Sequence, residues 1–179
     1  RLSRLLDYDE YLSSLKKREK EAELKLKDYC DKVSSIRKKY AKKLTALVTD
    51  ALKDLNFLDV KFEMQFDTTA DYTANGTDDA EFVISTNPGE PLKPLGKVAS
   101  GGELSRIMLA IKTVLADQDD VETLIFDEID SGISGRTAQM VSEKMNVLSR
   151  NHQIICITHL PQIAAMADSH YLIEKSVEH

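Results

Sequence analysis

The sequence predicts an α/β protein that begins with one long helix, and three patterns carry this prediction. Residues 1–57 contain neither Gly nor Pro, and their apolar residues recur with a helical period. Residues 123–126 and 154–157 are short, mostly apolar runs, as in strands of a buried parallel sheet. A helical pattern over 138–148 lies between these runs, so together they predict a βαβ unit. We therefore expect an arm helix over 1–57, and an α/β body with a parallel sheet and flanking helices over 58–179.

The pattern of the arm is that of a coiled coil. Apolar residues or Tyr fill most positions of a 3.5-residue repeat, which keeps one seam facing a partner helix. The alternative is a helix that lies along its own body. However, an arm of about 85 Å, at 1.5 Å per residue, is longer than a body of about 120 residues is wide. The sequence therefore predicts a partner helix from elsewhere, and from Leu44 onwards a helix that runs onto the body. The seam positions are Leu5, Tyr8, Leu12, Leu15, Glu19, Ala22, Leu26, Tyr29, Val33, Ile36, Tyr40, Lys43, Leu47 and Asp50.

Between the arm and the βαβ unit, the pattern first changes to that of strands. Apolar and polar residues alternate over 60–66, Asn75-Gly76 is a turn signal, and residues 80–85 read as a returning strand. A β-hairpin, or a meander with a longer loop, is expected. Pro and Gly over 87–96 then indicate a loop. The remaining predicted elements are a helix over 103–116, a short helix over 161–167 and a last strand over 171–174.

Charge is distributed unevenly between the arm and the body. The chain of 179 residues has a formal net charge of −6, but residues 1–58 carry a net +5 and residues 59–179 a net −11. A basic arm is compatible with DNA contact, and a solvated helix surface is the alternative. No apolar run approaches the roughly 18 residues of a membrane span, and the polar start is not that of a signal peptide. Cys30 and Cys156 read as free thiols of a reducing compartment, so a cytoplasmic protein is expected.

The segment Ser100-Gly101-Gly102-Glu103 lies at the predicted start of a helix. Free N–H groups and the helix dipole favour an anion there, and glycines let a phosphate approach the backbone. The hydroxyl of Ser100 adds a hydrogen-bond donor. The alternative is an ordinary helix start, with Ser100 as the N-cap and Glu103 in the first turn.

Three polar residues follow the two predicted parallel strands. Asp127 and Glu128 end the first strand and His159 ends the second, where ligands bind in α/β sheets. Asp127 is placed to hold Mg²⁺ through water, and Glu128 is placed to polarise an attacking water. His159 could hydrogen-bond a γ-phosphate or orient that water. The alternative for each is a polar residue that merely ends a strand. The other histidines, which read as surface residues, are His152, His170 and His179.

The sequence does not support a metal cage, a covalent nucleophile or a P-loop. Cys and His lack metal-ligand spacing, and no Gly-x-Ser-x-Gly elbow or Cys/His pair is present. The one Gly-Lys dipeptide, Gly96-Lys97, has Pro91 where a P-loop needs Gly, so it is not a Walker A motif. A triphosphate cradle is therefore expected elsewhere, and this chain by itself is expected to be inactive as a fragment of a longer protein.

Three blocks of the sequence, in their order, resemble the C-terminal half of the head of an SMC-like ABC ATPase from bacterial DNA repair. The blocks are STNPGEPLKPLGKVASGGELSRIMLAIK (85–112), LIFDEIDSGISG (124–135) and ITHLPQIAAMAD (157–168). Together with the arm they leave little of the chain outside the match. The resemblance implies half of a P-loop NTPase head of the ABC/SMC type, with ATP and Mg²⁺ as ligands.

Family roles carry over to the matching positions. Ser100, Gly101 and Gly102 would form the signature loop, which contacts ATP held by the Walker A lobe of an opposing head. Asp127 would be the Walker B magnesium residue, Glu128 the catalytic base and His159 the switch histidine. The further nucleotide-binding residues implied are Glu103, Ser131, Gly132 and Ser134.

Two residues depart from the broader ABC pattern. Ala99 stands where the signature usually has leucine, and Ser134 stands where many relatives have the D-loop aspartate. The role of that aspartate therefore does not carry over. Asp130 precedes the D-loop and is not its equivalent.

The resemblance also implies partners: an N-terminal Walker A lobe of the same protein, a second copy joined through ATP-sandwiched heads, and DNA. It implies an ATPase of double-strand break repair and recombination at the bacterial nucleoid, with no membrane partner. One alternative is a transporter ATPase subunit, against which the long arm and Glu103 after the signature count. The other is a non-enzymatic coiled-coil tether, against which Asp127, Glu128 and His159 count.

Overall fold

A computed structural model of the chain describes residues 2–98, 100–118 and 120–174. The chain folds as two compact units: one contains the chain up to Ala41 with Phe66–Ala80, and the other contains Lys42–Gln65 with the chain from Glu81 onwards. The predicted boundary between residues 57 and 58 stays a prediction. The elements are α1 (Leu2–Asp54), β1 (Lys61–Thr73), β2 (Gly76–Ser85), β3 (Lys93–Pro94), α2 (Gly101–Val114), β4 (Thr123–Phe126), α3 (Gly135–Leu148), β5 (Gln153–Cys156) and α4 (Pro161–Ala164).

The smaller unit joins part of α1 to the tip of the β1–β2 hairpin. Arg37 donates to the carbonyl oxygen of Asn75 at 2.7 Å and pairs with Asp78 at 3.1 Å. Ser34 donates to the same carboxylate at 2.7 Å. Only two residues separate the strands, and Gly76 follows them at a φ of +93°. The turn is therefore tight rather than the longer loop expected, because both strands extend beyond their apolar centres.

The predicted coiled-coil seam is not the stripe of α1 that the hairpin covers. Cys30 and Ala41 are buried in this unit, whereas Tyr29 and Tyr40, each one position earlier, keep more than half of their surface exposed. A step of one residue turns a helical side chain by about 100°. The hairpin therefore packs on the stripe next to the seam, while Tyr29 and Tyr40 of the seam remain largely exposed.

The larger unit has one hydrophobic core, in which α1 ends. Val48, Leu52 and Leu55 are fully buried, which confirms that this part of the helix packs on the body. Phe62 and Phe82 of the hairpin stack with ring centroids 5.1 Å apart. The other large residues of this core include Ile84, Ile107, Leu109, Leu124, Phe126, Ile129, Val141, Met145 and Leu148.

The βαβ unit is confirmed. β4 and β5 pair in parallel, with Leu124 opposite Ile154, and α3 connects them. Only one face of this sheet is buried, since Leu124 and Phe126 face the core while Ile125 is 66% exposed and Ile155 45% exposed. Among the described residues, therefore, only one face of the predicted buried sheet is covered.

Several predicted bounds need correction. The loop over 87–96 contains β3, which pairs antiparallel with the end of β2. α2 begins two residues earlier than predicted, β5 is shifted by one residue, and α4 ends at Ala164. The strand over 171–174 is wrong, since these residues have no regular structure and Tyr171, Leu172 and Ile173 are more than 80% exposed. An apolar run forms a strand only where a sheet edge offers it backbone partners, and the described residues offer it none.

His152 also departs from its predicted surface position. Its ring is only 6% exposed, and Nδ1 lies 2.6 Å from the carbonyl oxygen of Val121. His170 is exposed and bonds to the carbonyl oxygen of Ala164, and His179 lies outside the described residues. Both cysteines are free thiols. Among the described residues, no helix is both long and apolar enough to cross a membrane.

Candidate nucleotide-binding site at the edge of the parallel sheet

The polar residues that follow β4 and β5 come to one edge of the parallel sheet. The N–H of Ile157 donates to the carbonyl oxygen of Phe126 at 2.9 Å, which continues the ladder beyond the last paired residues. Asp127 and Glu128 directly follow Phe126, and His159 follows Ile157 by two residues. Asp127, Glu128 and His159 are all exposed. The predicted juxtaposition of the two strand ends is therefore present.

Glu128 adopts an unusual backbone conformation. Its φ of +56° lies in the left-handed region, which non-glycine residues adopt at an energetic cost and which is frequent at functional sites. The Asp127 Oδ1 accepts a hydrogen bond from the N–H of Glu128 at 2.8 Å. Ser105 of α2 donates to the carbonyl oxygen of Asp127 at 2.7 Å. The two acids are thus held in place by the backbone and by the neighbouring helix.

Gly101 and Gly102 pack against the turn that carries Asp127 and Glu128. A Cβ on Gly101 would overlap the Glu128 carboxylate, and a Cβ on Gly102 would lie 2.8 Å from the Ser131 Cβ and 2.9 Å from the carbonyl oxygen of Glu128. Ser100 is the N-cap of α2 and accepts a bond from the N–H of Glu103 at 3.4 Å. The N-cap alternative therefore describes Ser100 correctly. It leaves a ligand role open, because Ser100 and Gly101 remain exposed. Ala99 lies outside the described residues.

The residues that follow Glu128 form a tight turn before α3. The N–H of Ser131 donates to the carbonyl oxygen of Glu128 at 2.9 Å, and Gly132 has a φ of +72°, which glycine adopts without strain. Ser134 is the N-cap residue of α3, but its side chain makes no capping hydrogen bond. Ser131, Gly132 and Ser134 are exposed, so this turn is accessible to a ligand or a second protein surface.

Arg106 connects α2 to the same turn. Its side chain is buried, and Nη1 donates to the carbonyl oxygens of Ser131 at 2.8 Å and Ile129 at 3.3 Å. Its guanidinium lies 5.7 Å from the ring centroid of Phe57. Burial lowers the pKa of Arg106, although Glu103 opposes the shift. Because a buried charge is costly without partners, this arrangement fixes α2 relative to the turn.

Asp130 connects the turn to His159. The carboxylate is buried, and its Oδ2 accepts bonds from Thr158 Oγ1 at 2.6 Å and from the N–H of His159 at 2.8 Å. The Nδ1 of His159 lies 3.0 Å from the same oxygen. Burial opposes ionisation of Asp130, but the hydrogen bonds from Thr158 and His159 outweigh burial and hold its pKa below the usual range.

Comparison with known proteins identifies the family. No family model matches the chain. The chain is 45% identical over 178 residues to the DNA repair protein RecN of Halalkalibacterium halodurans, covering 97% of this chain and 32% of that protein. It is 44% identical over 185 residues to RecN of Bacillus subtilis, covering 95% of this chain and 32% of that protein. The chain belongs to the RecN family. It spans about a third of the length of these RecN relatives.

Solved structures confirm the predicted fold class of this RecN-family chain. A crystal structure of the Smc head domain with an extended coiled coil, from Pyrococcus furiosus, matches with a TM-score of 0.51 at 19% identity, over 70% of this chain and 30% of that chain. The Smc head domain with a coiled coil and joint from Pyrococcus yayanosii matches with a TM-score of 0.50 at 21% identity, over 72% of this chain and 23% of that chain. At such identities the likeness establishes the fold alone.

Asp127 fits a Mg²⁺ that is bound chiefly by phosphate oxygens and water. No cluster of three metal-ligating side chains occurs in the described part of the chain, so these residues do not form an all-protein cage. Mg²⁺ usually binds through one or two carboxylates together with phosphates and water. An exposed aspartate at a strand end meets that requirement.

Sequence reasoning missed Arg106 and set Asp130 aside. The signal for Arg106 is its position one helical turn after Gly102, on a face that continues into buried Leu109 and Ala110. Asp130 gives no comparable signal, because its partners come from the segment after β5, some thirty residues away.

Proposed function

We propose that this RecN-family chain is the head lobe that carries the signature loop and the Walker B acids. In this proposal the intact protein is an ATPase that acts in double-strand break repair and recombination. The observation that best supports the proposal is the packing of Gly101 against the Glu128 carboxylate, at the sheet edge where His159 also lies. The residues assigned to the signature loop, the Walker B acids and the switch histidine therefore share one region of one unit.

The reaction is the attack of water on the γ-phosphorus of ATP, which gives ADP and phosphate. Glu128 polarises the attacking water as general base, and His159 contacts that water or the γ-phosphate. Asp127 would hold Mg²⁺ through water, and the ion would supply positive charge next to the phosphate oxygens. The residues proposed to contact nucleotide are Ser100, Gly101, Gly102, Glu103, Ser131, Gly132 and Ser134.

The exposed face of the parallel sheet supports a Walker A lobe of the same protein as the first partner. Ile125, Ile155 and Ile157 are between 45% and 66% exposed; Ile125 and Ile155 belong to paired strands, and Ile157 directly follows the second strand. Adjoining exposed apolar side chains are typical of surfaces that another protein surface covers. The Walker A lobe would supply this cover together with the triphosphate cradle. Without it, the 179-residue chain is expected to show neither tight ATP binding nor hydrolysis.

The arm supports two further partners. The exposed seam fits an antiparallel partner helix, and the net positive charge of residues 1–58 is suited to DNA. A second copy would join through ATP sandwiched between two heads. The relatives are named as bacterial DNA repair proteins, and we place the protein in the cytoplasm, at the nucleoid.

Glu128→Gln in the full-length protein tests the proposal. The amide keeps the size of the side chain but cannot accept the proton of the attacking water. We expect ATP turnover to fall by a factor of roughly 10² or more, as for the loss of a general base, while ATP binding persists and engaged dimers accumulate. Single-turnover kinetics, a nucleotide-binding assay and sedimentation with ATP measure the three quantities. Unchanged turnover removes Glu128 from the catalytic role.

The same experiment tests the non-enzymatic alternative, and the arm helix counts against the transporter subunit. A non-enzymatic tether would show no ATP-dependent association and no turnover to lose. A transporter subunit would lack the long arm that continues into the body as α1. This helix therefore favours the SMC-like head.

A further inference from the structure

A groove of about 290 Å³ lies between the predicted seam of α1 and the tip of the β1–β2 hairpin. One wall of the groove is the hairpin turn, residues 73–76. Arg37 holds this turn against the helix by donating to the carbonyl oxygen of Asn75 at 2.7 Å. The turn and the seam therefore share one surface of the smaller unit. The other wall consists of successive seam residues that are exposed: Leu26, Tyr29 and Val33.

A row of basic residues flanks the seam on the side opposite the hairpin. Cys30 and Arg37, which line the groove beside the hairpin turn, each follow a seam residue by one position, whereas each residue of the row precedes one. One residue turns a helical side chain by about 100°, so the two sets lie on opposite flanks of the seam. Lys32 of the row pairs with Asp28 at 2.6 Å, but both side chains are more than half exposed, and such pairs are weak. This basic row recurs every seven residues and is exposed: Arg18, Lys25, Lys32 and Lys39.

The apolar seam and the basic row together select the kind of partner. Exposed apolar side chains at heptad spacing fit the seam of another helix, whereas DNA phosphates would use the basic row alone. An antiparallel second copy of α1 would place the basic row opposite itself, and like charges destabilise such a pair. A helix with an acidic flank meets both requirements. The chain spans about a third of the length of its RecN relatives, so the rest of the protein can supply that helix.

We propose that the hairpin turn is a docking element for the partner helix of the arm. That helix belongs to the same protein and lies along the seam, between residues 73–76 and the basic row, with its acidic flank facing the row. This inference rests on the arm partner in the proposed function, and it adds to that function the hairpin contact and the charge of the partner. Because Asp78 bonds to both Ser34 and Arg37, the hairpin is fixed on α1 before the helix docks.

A photo-reactive benzophenone amino acid in place of Ala74 in the full-length protein tests the contact. Ala74 is exposed and lines the groove. Irradiation should join position 74 to a helical segment of the same polypeptide outside these 179 residues, and mass spectrometry should locate the product beside a row of Asp and Glu. Asp79 is the control position, because it is exposed on the same hairpin and alternates with Asp78, which bonds to α1. The label at position 79 should not give this product.

Charge reversal in the labelled protein tests the acidic flank of the partner. Lys25→Glu/Lys32→Glu replaces two attractions across the seam by repulsions. Lys20→Glu/Lys27→Glu is the matched control, because it makes the same change of charge at the same spacing but on the flank away from the basic row. The yield of the product from position 74 should fall about threefold or more in the first variant and stay within about 1.5-fold in the second, since flanking charges determine the partner of a coiled coil. Circular dichroism verifies that both variants keep their helix content.

Each other outcome overturns the proposal. A product with twice the mass of the protein would show that a second copy occupies the groove, and a product that contains DNA would show that nucleic acid does. No product from position 74 would exclude a contact with the turn. Equal yields from the two charge-reversed variants would exclude the acidic flank.

Failure of this inference is distinguishable from failure of the proposed function. The cross-link is measured without ATP hydrolysis, so it does not depend on the catalytic residues. If Glu128→Gln leaves turnover unchanged, the ATPase proposal fails, whatever position 74 contacts. If turnover depends on Glu128 but position 74 gives no product, the docking role of the hairpin alone is overturned.

Discussion

Gly102→Ala is predicted to destabilise the larger unit, although alanine is the better helix former. The Cβ would lie 2.8 Å from the Ser131 Cβ, 2.9 Å from the carbonyl oxygen of Glu128 and 3.2 Å from the Arg106 Nη1. Ordinary contacts of this kind are about 3.5–4.0 Å, so the first two atoms would be roughly 0.6 Å or more too close. One of them belongs to the backbone of the turn that carries Glu128, and Arg106 also holds this turn.

The magnitude follows from two opposing effects. Overpacking a rigid site costs about 1–3 kcal/mol, and replacing glycine by alanine within a helix returns at most about 1 kcal/mol. We therefore expect a net loss of about 1–2 kcal/mol. With a urea dependence of about 2 kcal/mol per molar, the unfolding midpoint would fall by about 0.5–1 M.

Urea unfolding of the chain, followed by circular dichroism, measures this shift. Gly96→Ala is the matched control, since a Cβ there meets nothing within 4 Å, and its midpoint should stay equal or rise slightly. A Gly102→Ala midpoint at or above that of Gly96→Ala would refute the close-packing argument. It would also show that Gly102 is not tightly packed against the turn that follows β4.

Two further predictions concern the exposed edge and the hairpin. Ser100→Arg in the full-length protein should abolish ATP-dependent dimers and hydrolysis while ATP binding persists, because the long cation would fill the space for the γ-phosphate of ATP held by a second head. Sedimentation with ATP and a nucleotide-binding assay on the same sample measure these effects. Normal dimers with normal turnover would contradict the prediction. Asp78 has a pKa held below its ordinary value of 3.8, because the hydrogen bond from Ser34 outweighs burial and Arg37 adds to it. Because the pKa of Asp78 is lower in the folded state, its ionised carboxylate stabilises the fold above the unfolded pKa, and this stability is lost as pH falls through the folded pKa. Asp78→Asn should therefore speed hydrogen exchange over residues 73–80 near pH 7, and the difference from wild type should shrink below about pH 3.8. A difference that does not depend on pH would contradict the ion-pair argument.

Periodic patterns predicted most of the secondary structure correctly. The helix from Leu2 to Asp54 and the βαβ unit follow from apolar spacing, because a face that packs must repeat with the period of its element. The motif order likewise predicted which strand ends carry Asp127, Glu128 and His159. The errors lie where an element depends on a distant partner: β3 forms because β2 offers it an edge, and residues 171–174 find no such edge among the described residues.

The sequence by itself determined the kind of protein: an arm helix, a parallel βαβ unit and the residues that a RecN-family head places at its sheet edge. Only the tertiary structure decided which residues hold that edge together. Arg106 reaches two carbonyl oxygens of the turn after Glu128, and Asp130 reaches the Nδ1 of His159 across some thirty residues of chain. Such contacts leave no periodic trace in a sequence, because hydrogen bonds between distant residues depend on where the folded backbone brings their atoms. The spacing of residues along a single element does not record that arrangement.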